Sequence, residues 1–320
     1  MTSSPASPQS RPRIHHRTRT IDGLEIFSRE AGPDDAPVVL LLHGFPTSSR
    51  MYRDLIPQLA EHRRVLAPDL PGFGSSSLPP RGDDGWGFGQ AARVIDRWLE
   101  QLGVDRFTVY LMDIGGSIGW RLALARPTQI AGIVVQNAPL YPEDGGDFGL
   151  LPTYWHEPTP ANRALAQAEA LSLENTRAQY EVGVADADID LLDPDAWQLD
   201  QAQLDRPGVA DVAMDYLLDI SRQVETFAAA RAWLRETRPP LLVASGRGDV
   251  IFPEASQRAF LDDVPDAEFH ALDTGHFALA THVDEIGALI RDFLARRVDA
   301  GGSSARTGSP APAPAEGSAA

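Results

Sequence analysis

The sequence predicts an α/β fold: a mainly parallel twisted sheet with flanking helices and a helical cap insertion. Three observations point to it. Val38-Val-Leu-Leu-Leu42 is apolar throughout, as expected of a strand covered on both faces. Strand-like and helix-like runs alternate from Val38 to Gln136 and again from Pro240 to Arg297, the pattern of parallel strands joined by crossover helices. Between these halves the rhythm breaks. Residues 139–237 are polar and helix-leaning, punctuated by Pro152, Pro158, Pro160, Pro194 and Pro207, and carry Tyr154, Trp155, Tyr180, Trp197 and Tyr216.

Taken in order, residues 1–14 are Ser/Pro-rich without hydrophobic periodicity and read as a disordered tail. The first part of the α/β domain is expected over 15–138. Arg17–Ile21 and Leu24–Arg29 flank Asp22-Gly23, a hairpin signal, so the domain opens with an antiparallel pair. After the Val38–Leu42 strand come a helical stretch at Met51–Ala60, a strand at Arg64–Pro68 and a helix at Gln90–Leu102. Phe107–Met112 is the next strand, and Ile118, Leu122 and Ala125 mark the helix that follows it at once; Ile130–Gln136 is one more strand. The cap is expected over 139–237, folding over the sheet to exclude water and to line a pocket. The second part of the core, 238–298, holds strands at Pro240–Ala244 and Ala267–Leu272 and helices at Pro253–Leu261 and Val283–Arg297. Residues 299–320, rich in Gly, Ser, Pro and Ala, read as a second disordered tail.

Composition narrows the partners. A formal net charge of −17 repels nucleic acid and anionic membrane surfaces. No apolar run approaches a membrane span, and the N-terminus lacks the apolar core of a secretory signal, so a cytoplasmic protein is expected. With no cysteine there is no disulfide framework and no thiolate chemistry. The histidines form no metal-ligand spacing with one another or with acids, so neither metal nor cofactor is expected.

The chemistry-bearing residues lie where strands end. Asp113 sits between the Phe107–Met112 strand and Gly115-Gly116, on a strand-to-helix turn of the kind that lifts a side chain clear of the sheet edge. His43-Gly-Phe-Pro46 follows the first buried strand, where a tight loop can aim a backbone N–H at a developing oxyanion. Asp69-Leu-Pro-Gly-Phe-Gly74 reads as a structural turn with Asp69 bonding local backbone. Gly246-Arg-Gly-Asp249 and Asp273-Thr-Gly-His276 each end a later strand, so Asp249 and His276 follow Asp113 in the order nucleophile, acid, histidine. Asn137 ends the intervening strand but carries no charge.

Together these motifs resemble the α/β-hydrolase superfamily over about Arg17–Arg297, and within it the aspartate-nucleophile branch of epoxide hydrolases and haloalkane dehalogenases. The resemblance implies a covalent ester on Asp113, cut by water that His276 activates while Asp249 orients the imidazole. The oxyanion hole would be the backbone N–H groups of Phe45 and Ile114. A carboxylate is already ionised at neutral pH and can attack a saturated carbon directly. Leu111 departs from the pattern, standing where the family commonly has glycine. Dehalogenases of the branch usually place a Trp after the nucleophile and an N–H-bearing side chain in the first loop; here Ile114 and Phe45 offer no such donor. Trp155 reads as a pocket wall or as a substitute halide donor, whereas epoxide hydrolases use cap phenols, for which Tyr154 with Tyr180 is the preferred pair. Epoxide hydrolysis of a small apolar organic substrate is therefore expected first and haloalkane dehalogenation second. A non-catalytic relative that binds a small apolar ligand is the reading from another class.

Overall fold

A computed structural model describes residues 12–83, 85–141 and 146–300; the rest of the two expected tails lies outside the described residues. The strands are β1 (His15–Ile21), β2 (Leu24–Ala31), β3 (Val38–Leu42), β4 (Arg64–Pro68), β5 (Phe107–Met112), β6 (Ile130–Gln136), β7 (Leu241–Gly246) and β8 (Glu268–Leu272). The helices are α1 (Ile56–Leu59), α2 (Phe88–Gln101), α3 (Ile114–Ala125), α4 (Leu151–His156), α5 (Pro160–Ala170), α6 (Leu173–Glu181), α7 (Pro194–Leu204), α8 (Val209–Asp219), α9 (Val224–Thr237), α10 (Glu254–Arg258), α11 (Phe260–Asp263) and α12 (Leu279–Phe293).

The strands form one sheet in the order β1-β2-β4-β3-β5-β6-β7-β8. β1 pairs antiparallel with β2 and β2 with β4, and the pairs from β4 to β8 are parallel. The chain steps outward from β3 to β4, then crosses back to β5 on the other side of β3. That reversal lies beside β5, and open sheets bind ligands at the strand C-termini there.

The pleat divides each buried strand between two cores. Leu40, Leu42, Val109 and Leu111 face a layer built from α2, α3 and α9, with Trp98, Ile118, Trp120 and Leu234 fully buried. Val39, Leu41, Tyr110 and Met112 face α1 and α12, meeting Ile56, Ile286, Ile290 and Phe293. Covered on both sides, β5 and β6 have no exposed residue, which accounts for their unbroken apolar sequence.

Several boundaries differ from expectation. The Met51–Ala60 stretch is a 3-10 turn at Ser49–Tyr52 followed by the single turn α1, whose first residues include Pro57. The Pro253–Leu261 helix breaks at Ala259 into α10 and α11. α12 starts earlier than Val283, with a kink at His282, and helical backbone continues through Leu294–Asp299. Asp299, expected in the C-terminal tail, accepts from the Arg63 guanidinium at 2.6 and 2.9 Å. α9, inside the range expected for the cap, packs along α3 and α11, with Phe227, Ala230 and Leu234 buried. α4–α8 lie between β6 and α9 in the chain, and α8 is fastened to the start of α2 and the loop before it: Asp219 accepts from the Phe88 N–H at 2.8 Å and Asp215 pairs with Arg81. Among the described residues no helix is long and apolar enough to cross a membrane.

Candidate active site

Asp113 stands between β5 and α3 with φ 48° and ψ −126°, a left-handed conformation that a non-glycine residue adopts at a cost of about 1–3 kcal/mol. The turn lifts its carboxylate to the junction of two cavities. One, of about 350 Å³, is lined by Asp113, Asp249, His276, Phe45, Gln179 and Leu217 among others. The second, of about 300 Å³, shares Asp113, Ile114, Phe148 and Ile220 and runs between Pro139, Trp155, Val224 and Phe252.

Leu111, the departure from the family pattern, causes no crowding at the turn. It is fully buried, and its Cδ2 methyl fills the space beside Gly119, where a Cβ would collide with it. The glycine expected before the nucleophile is offset by one after it.

The carboxylate is held from one side. Asp113 Oδ1 accepts from the Phe45 N–H at 2.6 Å, and the Ile114 N–H also bonds the carboxyl. Burial pushes the Asp113 pKa above its ordinary value, while His276 and the two N–H groups pull the other way. The His43 loop that supplies Phe45 is braced by its own histidine: His43 Nδ1 donates to the Gly44 carbonyl at 2.8 Å and Nε2 accepts from the Leu70 N–H at 2.9 Å. Burial lowers the His43 pKa, which suits that neutral tautomer. Asp69 accepts from the backbone N–H groups of Ser49 and Ser75 at 2.8 and 2.7 Å, a local structural role.

His276 Nδ1 donates to Asp249 Oδ2 at 2.8 Å, both residues being buried. Asp249 Oδ1 accepts from the Ile251 N–H at 2.7 Å, which fixes the carboxylate plane. Burial alone would lower the His276 pKa, but the charge and hydrogen bond of Asp249, with Asp113, raise it above the ordinary value. His276 Nε2 is buried and has no partner among the described residues. An unpaired imidazole nitrogen in a cavity shared with Asp113 is the arrangement of a base waiting for water. Asn137 braces the same region by exchanging hydrogen bonds with the Gly246 backbone at 2.9 and 3.2 Å.

The cap residues do not stand where the sequence suggested. Tyr154 is buried in the apolar core and lines neither cavity. Tyr180 turns away from Asp113: its hydroxyl donates to Asp200 Oδ2 at 2.5 Å and its ring stacks on Phe277. Tyr216 donates to the Pro71 carbonyl at 3.1 Å and accepts from the Trp86 indole. Trp155 does line the second cavity, but its N–H donates to the Leu217 carbonyl at 2.7 Å, so it is wall and not donor. The reason is rotational. Successive helical residues point about 100° apart, so Gln179 faces the cavity and Tyr180 beside it faces α7. Asn175, Ala178, Gln179 and Val182 share the cavity-facing stripe of α6, a spacing visible in the sequence but obscured by the aromatic next to it.

Asp200 makes the Tyr180 anchor pH-dependent. Burial raises its carboxyl to about 6, against the pull of the Tyr180 and Thr47 hydroxyls and of Arg50 and Arg53. A raised native pKa stabilises the fold fully below the unfolded value of about 4 and loses that contribution as pH rises through the native one. Asp200→Asn keeps an oxygen for Tyr180 and removes the buried charge. Urea titrations should find the variant more stable at neutral pH by on the order of 2 kcal/mol, with a flatter profile across the native pKa. A variant less stable at neutral pH would sink this assignment.

The α/β hydrolase fold family matches residues 37–283. The chain is 37% identical to an uncharacterized hydrolase of Saccharomyces cerevisiae over 286 residues, covering 88% of this chain and 97% of that one. It is 30% identical to a haloalkane dehalogenase of Mesorhizobium japonicum, covering 83% of this chain and 86% of the relative. The solved haloalkane dehalogenase of Bradyrhizobium elkani shares the fold, with a TM-score of 0.72 at 22% identity, covering 88% of this chain and 98% of that one. With its sheet order and an aspartate on the turn after β5, the chain belongs to the α/β hydrolase fold family, in its haloalkane dehalogenase-like, aspartate-nucleophile branch.

Proposed function

We propose that the protein hydrolyses the carbon–halogen bond of small, neutral, largely apolar organic halides through an ester on Asp113. The observation that carries this is the shared cavity of Asp113, held at Oδ1 by the Phe45 N–H, and His276, held at Nδ1 by Asp249 with Nε2 unpartnered. Asp113 Oδ2 attacks the carbon and the halide leaves with the bonding pair. His276 Nε2 then takes a proton from water, whose oxygen adds to the Asp113 carboxyl carbon. The N–H groups of Phe45 and Ile114 stabilise the tetrahedral oxyanion. Collapse expels the alkoxide, which takes the proton from His276 and leaves as the alcohol; Asp113, left as the free acid, gives its remaining proton to water and returns to the carboxylate.

Halide stands ahead of epoxide because ring opening leaves an alkoxide that must gain a proton, and the cap phenols that would supply one are committed to Asp200 and Pro71. The named dehalogenase relative supports the same order. Asp147 and Glu169 at the cavity, on a chain of net charge −17, disfavour anionic substrates such as halo-acids. Epoxide hydrolysis remains the second reading on one observation: His276, with its raised pKa, is a proton source inside the cavity. Single turnovers with a bromoalkane panel and a styrene-oxide-like epoxide in heavy-oxygen water separate the readings. Expected are bromide and alcohol in equal amounts, the first alcohol carrying the unlabelled Asp113 oxygen. Solvent label in that first product sinks the ester mechanism, and diol without bromide reverses the order.

A further inference from the structure

Resting on the Asp113 ester reading above, we infer that the carboxamide of Gln179 is the leaving-group donor of this site, the N–H that receives the departing halide. Gln179 is 9% exposed and lines the cavity with Asp113, Asp249 and His276. Its carboxamide makes no hydrogen bond to the described residues and opens onto the cavity rather than being sealed in the core. Apart from Asp113 and His276, the other polar side chains around that cavity are engaged. Asn175 Nδ2 donates to the Ala170 carbonyl at 3.0 Å, Asp147 accepts from the Gly149 N–H at 3.0 Å, and Glu169 accepts from the Leu150 N–H at 2.6 Å.

The amide is also held in place. α6 is fixed on one flank by Tyr180, bonded to Asp200 and stacked on Phe277 with ring centroids 4.3 Å apart. At its C-terminal end Gly183, at φ 81°, touches the Gly248 backbone so closely that a Cβ would collide with the Gly248 carbonyl. The helix bearing Gln179 thus rests directly on the loop that carries Asp249.

The chemistry suits a halide. When the carbon–halogen bond breaks, both electrons go to the halogen, and the anion needs N–H dipoles but no proton. A neutral carboxamide offers two such donors and cannot protonate an alkoxide. Gln179 therefore takes over the task for which Ile114 and Phe45 carry no donor and for which Trp155 is already engaged.

The test uses the full chain carrying His276→Phe, in which alkylation of Asp113 by 1-chloro-, 1-bromo- and 1-iodoalkanes is followed by intact mass. Adding Gln179→Leu should slow alkylation about tenfold to a hundredfold, as expected for one lost hydrogen bond to a charged acceptor. Chloride should suffer more than iodide, because the more basic leaving group depends more on its donor. In the otherwise native chain, inhibition by bromide ion should weaken in parallel, and Gln179→Asn should restore part of it. Unchanged rates, or equal slowing of chloride and iodide, overturn the assignment while leaving the ester intact. Slowing by Ser117→Ala instead, whose unpartnered hydroxyl lines the second cavity, moves the role elsewhere and overturns it too. Absence of any adduct in the His276→Phe chain overturns this inference together with the reading beneath it.

Discussion

His276→Phe is expected to convert the protein from a catalyst into a trap: one equivalent of halide released, an ester retained on Asp113, and turnover reduced about 10²–10⁴-fold. The first step does not use the imidazole, since the attacking carboxylate is ionised before substrate arrives. The second step does, because water adds to an ester slowly unless a base removes its proton. Phenylalanine fits the site. The His276 ring already sits among aromatics, with centroids 5.8 Å from Phe252 and 5.0 Å from Phe277. Asp249 loses one partner but keeps the Ile251 N–H. Peptide mapping after a single exposure to a bromoalkane should find the added alkyl mass on Asp113. Sustained turnover, or an adduct on any other residue, would remove His276 from the hydrolytic step. An adduct on Asp113 also disposes of the non-catalytic reading, because a binding relative would leave its ligand unaltered.

The sheet was legible in the sequence because burial on both faces leaves a plain record. Val38–Leu42 and Ile130–Gln136 are apolar at nearly every position, and each is bounded by turn residues. Asp113, Asp249 and His276 were legible as candidates for the related reason that parallel strands deliver their C-terminal residues to one edge. The cap was not. A helix lying over a mixed polar and apolar cavity has no clean periodicity, so its most conspicuous side chains drew the assignment. Tyr154 and Tyr180 proved to be packing and anchoring residues, while Gln179 carried no motif to mark it. Leu111 shows the same limit at short range. Whether a bulky residue crowds a turn depends on what lies across the space, and Gly119 is one helical step from any residue that the turn itself makes conspicuous.

Asp249→Asn should be nearly as damaging as loss of the histidine, and its pH signature tells the two apart. The hydrogen bonds on Asp249 are split between its oxygens: Oδ1 receives the Ile251 N–H and Oδ2 receives His276 Nδ1–H. In the variant the single amide oxygen goes to the Ile251 N–H, so the new NH2 faces Nδ1. The imidazole proton must then move to Nε2, the atom that should accept from water, and the base is lost to the wrong tautomer. The loss in ester hydrolysis should be about 10³–10⁴-fold, by analogy with the corresponding change in serine proteases. Alkylation of Asp113 should persist, so a halide burst remains. The residual activity carries the sign. Asp249 is the main influence raising the His276 pKa against burial, so the native acid limb, set by the neutral imidazole, lies above the ordinary histidine value. Without that charge burial dominates, and the limb should move to lower pH. Single-turnover rates of ester hydrolysis measured against pH test both parts. A limb that stays in place or moves upward, or a loss below about tenfold against the expected 10³–10⁴, would mean that another group holds the imidazole.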